Sequence, residues 1–309
     1  MATRLGLGLP QMKQYALGRD VPEVARAAEE IGYESLWVFE RVLFPDRPAQ
    51  GLYGIEGLPW PDQYRSVADP LVTLTLAAAA TEHARLGTSV LVAPLHVPFQ
   101  LARSLATLDA ASGGRVVAGL GTGWSLDEYA AASVAPFARR GQVLDELIDV
   151  CHAVWGPDPV TYEGELTTVA PAEVGPKPAR PIPVLLPAHS PKAARRLVDR
   201  ADGWMPAAQG AEALAKSWRD LQNLASERSR EEPIQSVLRV NTLYTRTPYE
   251  GADRRPFQGS VAQIVEDLVA HAEVGLEEML LDLQGGARDA EELKDLAHEV
   301  YEAARSAGV

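Results

Sequence analysis

The feature that most constrains this chain is the repeated alternation of short apolar runs with longer amphipathic stretches. The apolar runs predict strands buried on both faces, and the longer stretches, with apolar residues three and four positions apart, predict helices. Eight such pairs follow one another within 309 residues. Because alternating strands and helices form parallel sheets, eight pairs predict an α/β fold of the closed (β/α)8 TIM-barrel type.

The predicted units occupy the whole chain, 1–309, as a single domain. The strands are predicted in LGLGLP, ESLWVF, RLGTSVLVA, RVVAGLG, PVLLPA, GWMPA, SVLRVNTLYT and EEMLLDL. The helices are predicted at 20–33, 69–81, 97–112, 139–155, 190–201, 210–229, 260–275 and 289–307. The proline-rich stretch 156–182, which contains VTYEGEL, predicts a small hairpin insertion after the fourth helix. An open, doubly wound sheet is the alternative, but it needs only about six strands and leaves two units without a place.

Three polar pairs predict helix starts. Asp20 with Glu23 and Ser260 with Gln263 have the spacing of a capping box, and Asp289 with Glu292 predicts a further N-terminal cap.

Composition excludes several classes of partner. The formal net charge is −13 and the pI is about 5.0, so polyanionic nucleic acid and anionic membrane surfaces are not expected to bind. The single cysteine, Cys151, lies in an apolar helical stripe and is predicted to be a buried thiol. With no disulfide pair, no signal-like start and no run of about 20 apolar residues, the chain is expected to be cytoplasmic. The six histidines are scattered without metal-ligand spacing, so no metal site is expected.

The glycine cluster GRVVAGLGTGW, residues 114–124, raises the question of dinucleotide binding. A dinucleotide fingerprint requires a third glycine where this chain has Trp124, and it belongs to an early strand rather than the fourth. The cluster is better explained as a barrel strand that ends at a catalytic mouth, where glycine lets a flat ring approach the backbone. Relief of crowding inside the barrel remains an alternative.

Several motifs together resemble one family. GRVVAGLGTGWSLDEY, RLGTSVLVAPLHVPFQLARSLATLDAASGGR, IPVLLPAHSPKAARRLVDRADGWMP and SLWVFER resemble the bacterial luciferase-like flavin and deazaflavin oxidoreductases, and the resemblance covers nearly the whole chain. Within this family, the style of the sequence suggests the branch that uses coenzyme F420. The resemblance implies a small-molecule substrate, a homodimer, and hydride transfer between a substrate carbon and C5 of the deazaflavin. An FMN-dependent monooxygenase and a non-catalytic flavin- or deazaflavin-binding relative are the alternatives.

The resemblance also assigns residues around the ring. Ser89 and Val90 match the family's non-prolyl cis peptide beneath the ring, although sequence alone would favour an ordinary trans strand. The other positions that match the cofactor pocket are Gly121, Gly123, Trp124, Asp127 and Glu128.

Glu40 and Arg41 stand where many deazaflavin-dependent relatives carry an Asp-His pair. Glu40 can still accept hydrogen bonds from the cofactor. Arg41 cannot donate a proton near neutral pH, so it is expected to stabilise negative charge instead. A solvated ion pair at a loop is the alternative for Glu40 and Arg41. His96, just after the third strand, is an acid-base candidate by its location, and a structural or solvated histidine is the alternative.

The turn Ala188, His189 and Ser190 begins the fifth helix and is expected to hold the cofactor phosphate or side chain, because helix N-termini favour anions. A plain helix cap is the alternative.

Two long loops leave the same rim. The aromatic-rich loop 41–66 predicts a lid or substrate wall, and the loop 245–258 brings Arg246, Arg254 and Arg255, which could attract the anionic coenzyme tail.

Overall fold

The fold is a closed barrel of parallel strands. The computed structural model describes residues 2–207 and 209–309, and within this part of the chain the barrel strands are β1 (Arg4–Gly8), β2 (Ser35–Val38), β3 (Arg85–Thr88), β4 (Val116–Gly121), β5 (Val184–Leu186), β6 (Gly203–Trp204), β7 (Gln235–Asn241) and β8 (Glu278–Asp282). Each strand pairs with the next in chain order, and β8 pairs back onto β1. The predicted (β/α)8 barrel is confirmed, and the open-sheet alternative is wrong because no edge strand remains among these eight.

Helices surround the barrel. In the described residues they are α1 (Leu17–Ile31), α2 (Pro70–Ala78), α3 (Pro98–Ser112), α4 (Leu126–Ala132), α5 (Arg140–Trp155), α6 (Pro191–Arg200), α7 (Ala211–Glu227), α8 (Val261–Ala272) and α9 (Ala290–Ser306). Short α4 was not predicted, because the loop after β4 carries too few apolar residues to show a helical period. None of these helices has the length and apolar character needed to span a bilayer.

The helix starts agree with the sequence in three cases and differ in one. Ser190 Oγ accepts from Ala193 N at 3.2 Å, Gln263 Oε1 accepts from Ser260 N at 3.1 Å, and Asp289 Oδ1 accepts from Glu292 N at 2.9 Å. The predicted cap at Asp20 is wrong. Helix α1 begins three residues earlier, and the Asp20 carboxylate closes the first turn by accepting from Ala16 N at 2.7 Å.

The predicted insertion is present. After α5, the segments Val160–Glu163 and Thr168–Ala172 form an antiparallel hairpin. Cys151 is buried on α5, as its apolar stripe predicted, and burial raises the pKa of its thiol.

The barrel interior is filled by one tryptophan, with glycines against its ring and aliphatic side chains around it. Trp37 is 1% exposed, and its Nε1 donates to Ser35 Oγ at 2.6 Å and to Glu278 Oε1 at 3.0 Å. A Cβ on Gly87 would lie 2.2 Å from the Trp37 ring, and one on Gly6 would lie 2.7 Å from its Nε1. The interior cluster comprises Trp37, Val117, Leu185, Met205, Val237 and Leu280, with Val90 packed against it. This packing closes the barrel below the carboxyl ends of the strands.

Candidate active site

A cavity of about 440 Å³ opens at the carboxyl ends of β2 to β7. Barrel enzymes place their chemistry at this end, because the loops that follow the strands converge there. Eight of the residues that the sequence assigned to the site line this cavity: Glu40, Arg41, Ser89, Val90, Gly121, Gly123, Trp124 and His189. The strand ends therefore bring together residues that lie up to 149 positions apart in the chain.

The Ser89–Val90 peptide and two glycines lie side by side at this cavity. The Ser89–Val90 peptide bond is cis, as the resemblance implied. A Cβ on Gly121 would lie 2.6 Å from Val90 Cγ2, and one on Gly123 would lie 2.5 Å from Val92 Cγ1. Gly123 also has a φ of +65°, which favours glycine. These two glycines let β4 approach the Ser89–Val92 segment closely and keep the surface free of protruding side chains.

A flat polar heterocycle fits this surface. Ser89 is 5% exposed, and within the described residues its Oγ has no hydrogen-bond partner. Trp124 Nε1 is also buried and has no hydrogen-bond partner in the described residues. Because buried polar groups are normally paired, a ligand with polar edge atoms would satisfy a hydroxyl that the protein leaves free. The apolar contact surface of Val90 and Gly121 suits the face of a flavin or deazaflavin ring.

Glu40 and His96 form a pair that reaches from the cavity towards solvent. Glu40 Oε2 accepts from Val92 N at 2.6 Å, and Glu40 Oε1 lies 2.9 Å from His96 Nε2. The Glu40 side chain is 4% exposed and that of His96 is 23% exposed. His96 is absent from the cavity lining, so it can act only through Glu40 in this arrangement. The two residues together can hold and pass a proton.

Arg41 is held in a fixed position by an ion pair and two indoles. Its Nη1 lies 2.5 Å from Glu128 Oε2, and its guanidinium carbon lies 4.7 Å from the Trp124 ring centre and 5.8 Å from that of Trp60. Glu128 also accepts from Val42 N at 3.0 Å. Burial raises the pKa of the Glu128 carboxyl, and the charge of Arg41 opposes that rise. Glu128 does not line the cavity; it anchors Arg41, which does.

Asp127 also lies outside the cavity lining and has a tethering role. Its Oδ2 accepts from Ala49 N at 2.9 Å, and Gln50 Nε2 donates to Trp124 O at 2.6 Å. Trp60 packs against Trp124 with ring centres 5.0 Å apart. These contacts attach the loop 41–66 to the loop after β4, so that the loop borders the cavity through Tyr53 and Tyr64, as a lid or wall would.

The three predicted residues of the turn before α6 have different surroundings. His189 lines the cavity, Ala188 packs against the core, and Ser190 caps the helix. The helix cap that the sequence left as an alternative is therefore present. The binding of a cofactor phosphate at this turn stays a prediction.

Arg239 and Asn241 also line the cavity and were missed from the sequence. Arg239 Nη2 lies 2.5 Å from Asp282 Oδ2, its Nη1 donates to Ser89 O, and its Nε donates to Asn241 Oδ1 at 2.8 Å. These residues alternate with buried apolar residues in SVLRVN, so they share the inward face of β7. A charged residue on the inward face of a buried strand was the signal that could have found them.

A second cavity of about 720 Å³ adjoins the first and shares Tyr53, Tyr64 and Asn241 with it. It lies among the loop 41–66 and the segments that follow β7 and β8, and Arg255 is part of its lining. The three predicted basic residues have different surroundings. Arg246 pairs with Glu292, and Arg254 binds Asp267 through two bonds of 2.7 and 2.9 Å.

Comparison with known proteins gives a consistent result. A family model described as luciferase-like monooxygenase matches residues 7–308. A protein of Mycobacterium tuberculosis described as uncharacterized is 38% identical over 185 residues, which are 59% of this chain and 65% of the relative. An F420-dependent glucose-6-phosphate dehydrogenase of Amycolatopsis mediterranei is 29% identical over 222 residues, which are 66% of this chain and 62% of the relative. The matched region thus spans less than two thirds of the length of these relatives.

One solved structure extends the similarity of fold to the whole chain. An F420-dependent secondary alcohol dehydrogenase, solved in complex with an F420-acetone adduct, superimposes with a TM-score of 0.76 at 17% identity and covers 99% of this chain and all of its own. At this identity, the superposition demonstrates a common fold.

Proposed function

Because the chain belongs to the luciferase-like monooxygenase family, we propose that it is an oxidoreductase that binds a flavin-type ring in the 440 Å³ cavity, and that its coenzyme is F420. When bound, such a coenzyme supplies a ring carbon that gives or takes a hydride. The substrate is a small organic molecule. The protein's part is to hold the two reacting carbons together and to exclude water.

The observation that carries this proposal is the cavity surface formed by Ser89, Val90 and Gly121. It combines an apolar contact area with one buried hydroxyl that has no partner in the described residues. That combination matches the face and the polar edge of a planar ring. The choice of F420 is supported by the dehydrogenase of Amycolatopsis mediterranei and by the secondary alcohol dehydrogenase, both named for that coenzyme.

Glu40 and His96 are the groups that handle protons in this proposal. Hydride transfer to or from a carbon that bears oxygen requires a proton to move in the same direction. Glu40 Oε1 faces His96 Nε2 at 2.9 Å, and the partly exposed His96 can exchange that proton with solvent. Glu40 is therefore the acid-base group at the cavity and His96 is its relay.

Arg41 replaces the histidine of many deazaflavin-dependent relatives, and it has a different role. Its guanidinium carries a positive charge, so it stabilises negative charge that develops in the cavity. Glu128 and the Trp124 ring hold it in place, which removes the need for it to reorganise during the reaction.

Titration of the purified chain with F420 and, separately, with FMN tests the proposal. We expect saturable binding of F420, followed by coenzyme fluorescence. Gly121→Leu should abolish binding, because its side chain enters the space beside Val90, whereas Gly18→Ala should bind normally, because nothing lies within 4 Å of a Cβ there. Failure of both coenzymes to bind, or equal binding by the Gly121→Leu variant, would contradict the proposal.

An FMN-dependent monooxygenase is the second candidate, favoured by the description of the matching family model. Oxygen consumption separates the two, because a monooxygenase consumes oxygen during turnover and a deazaflavin hydride reacts poorly with it. FMN binding together with substrate-dependent oxygen uptake would establish the second candidate. Tight coenzyme binding without hydride exchange in any substrate screen would instead indicate a non-catalytic binding protein.

A further inference from the structure

The 720 Å³ cavity beside the ring cavity has a chemical character of its own. We propose that it binds the substrate, and that the substrate has an apolar body ending in an anionic group, such as a carboxylate, that Arg255 contacts. This inference rests on the proposed function, since the adjoining cavity must hold the coenzyme ring.

The lining of this cavity is mainly apolar and aromatic. Its apolar members are Met12, Leu52, Leu58, Pro59, Pro61, Leu243 and Pro256, and its aromatic members are Tyr53, Tyr64 and Tyr244. Leu243 is 48% exposed and Tyr53 is 47% exposed, so both present apolar surface at this cavity. The volume is in the range that proteins use for small-molecule ligands. The body of the occupant is therefore apolar.

The lining carries two charged side chains, Asp282 and Arg255, and of these only Arg255 has no ion-pair partner in the described residues. Asp282 is the acidic residue of the lining, and Arg239 Nη2 neutralises it at 2.5 Å. The Arg255 guanidinium has no carboxylate within 4 Å and no hydrogen bond in the described residues, whereas Arg246 and Arg254 are both ion-paired. One unpaired guanidinium at an apolar cavity favours a ligand with one anionic group.

The proposed substrate cavity and the ring cavity share part of their lining. Tyr53, Tyr64 and Asn241 line both cavities, so these three residues form the boundary at which a molecule in the second cavity lies beside the ring cavity. Burial raises the pKa of Tyr64, so its hydroxyl stays neutral beside the Tyr53 hydroxyl, with which it forms a hydrogen bond at this boundary.

The anionic tail of the coenzyme is the competing occupant. Residue His189, where the tail is expected, lines the ring cavity after β5, whereas the second cavity is bordered by segments after β7 and β8. A tail that leaves the ring towards His189 therefore leaves the Arg255 side free. Substrate, rather than tail, is the occupant that this arrangement favours.

The probe for this inference is 8-anilinonaphthalene-1-sulfonate, an aromatic anion that fluoresces in apolar sites. We expect saturable binding to the full chain, weakened about fivefold or more in Arg255→Ala and unchanged in the control Arg246→Ala. Competition by 4-phenylbutyrate should exceed that by 4-phenylbutan-1-ol by a similar factor, because the two share the phenylbutyl chain and only the first ends in an anionic group. Gly285→Leu should block the probe, because Gly285 lines this cavity and a Cβ there meets only Met12 Cε, at 4.0 Å.

Three results would overturn the inference: no saturable probe binding, equal affinity in Arg255→Ala, or equal competition by the acid and the alcohol. A parallel titration of the same variants with F420 distinguishes the remaining cases. A fivefold loss of F420 affinity in Arg255→Ala with probe binding intact would assign Arg255 to the coenzyme tail and also refute the inference. Absence of any coenzyme binding to the wild-type chain would instead refute the proposed function, whatever the probe shows.

Discussion

At the scale of single residues, the most informative group is the Ser89 hydroxyl. It is buried without a partner in the described residues, whereas the adjacent Thr88 Oγ1 donates to Gly119 O at 2.8 Å. Ser89→Ala therefore removes no internal hydrogen bond and should leave the free energy of unfolding unchanged or up to about 1 kcal/mol higher. Coenzyme affinity should fall about fivefold, because one hydrogen bond to the ring is lost.

Thr88→Val is the matched contrast. It removes a bond that is made within the protein and should cost about 1 kcal/mol of stability. Urea denaturation and coenzyme titration of both variants separate the two effects. Equal destabilisation by the two substitutions would mean that the Ser89 hydroxyl has a structural partner.

Arg41 and Glu128 lead to a prediction about pH. Burial raises the pKa of Glu128 above its ordinary value of 4.5, so the folded chain holds this proton to a higher pH than the unfolded chain does. The stability from this group is fully present below about pH 4.5 and is lost as the pH rises through the folded-state pKa. Arg41→Met removes the positive charge that opposes this rise in pKa. The variant should therefore lose more stability with rising pH than wild type does, and the loss should reach about 3 kcal/mol near pH 8.

The measurement is the free energy of unfolding of Arg41→Met against wild type at about pH 5 and about pH 8. The double variant Arg41→Met/Glu128→Gln should lose this pH dependence, because no ionisable carboxyl remains at that position. A destabilisation of Arg41→Met that is the same at both pH values would show that the ion pair does not control Glu128.

Sequence alone could locate the residues of the site better than their roles. Glu40 follows one predicted strand and Gly121 ends another, and the rule that barrel strands end at one rim was enough to bring these two together. Ser89 lies inside a predicted strand and was assigned to the site by the family resemblance. Asp127 and Glu128 were predicted to line the cavity but instead hold Ala49 and Arg41. Their partners lie about 80 positions away in a loop whose path no local pattern specifies.

At the scale of elements, the loop 41–66 depends on few tethers. Asp127 Oδ2 holds Ala49 N, and Tyr53, which is 47% exposed, lies four residues after that contact. Asp127→Ala should loosen the loop while leaving the barrel intact, so chymotrypsin should cleave after Tyr53 several-fold faster at an unchanged melting temperature. The control is Asp46→Ala, in the same exposed stretch and without a hydrogen bond from its side chain in the described residues. Cleavage as slow as in wild type would show that Asp127 is not a tether.

Helix boundaries show where local patterns fail. Asp20 and Glu23 have capping-box spacing, yet α1 begins at Leu17 because Asp20 satisfies the backbone of Ala16 from inside the first turn. The same residue type serves as a cap at Asp289, where the carboxylate accepts from Glu292 N. The sequence predicts that a helix begins near such a residue, and tertiary packing decides which side of the residue the helix starts on.

At the scale of the whole molecule, closure of the barrel could be predicted by counting units, but its interior could not. The eight strands follow from apolar periodicity, and the register of β8 on β1 closes the ring. A single tryptophan can fill the centre only where the neighbouring strands place glycines against its ring. Gly87 on β3 pairs directly with Trp37 on β2, and Gly6 on β1 pairs with Ser35 and lies against the Trp37 indole. The sequence does not show this pairing across strands.

Because Gly87 and Trp37 share the space at the centre of the barrel, we expect the stability effects of substitutions at the two positions to be strongly coupled. A Cβ on Gly87 would lie 2.2 Å from the Trp37 ring, so Gly87→Ala should cost about 2 kcal/mol or more through overpacking. Trp37→Leu should cost about 3 kcal/mol through the cavity it leaves and the loss of its bonds to Ser35 and Glu278. In the double variant the added methyl group occupies vacated space, so the combined loss should be smaller than the sum by about 1 kcal/mol or more. Urea denaturation of the four proteins gives this coupling energy, and strictly additive losses would show that the two positions do not share the volume at the centre of the barrel.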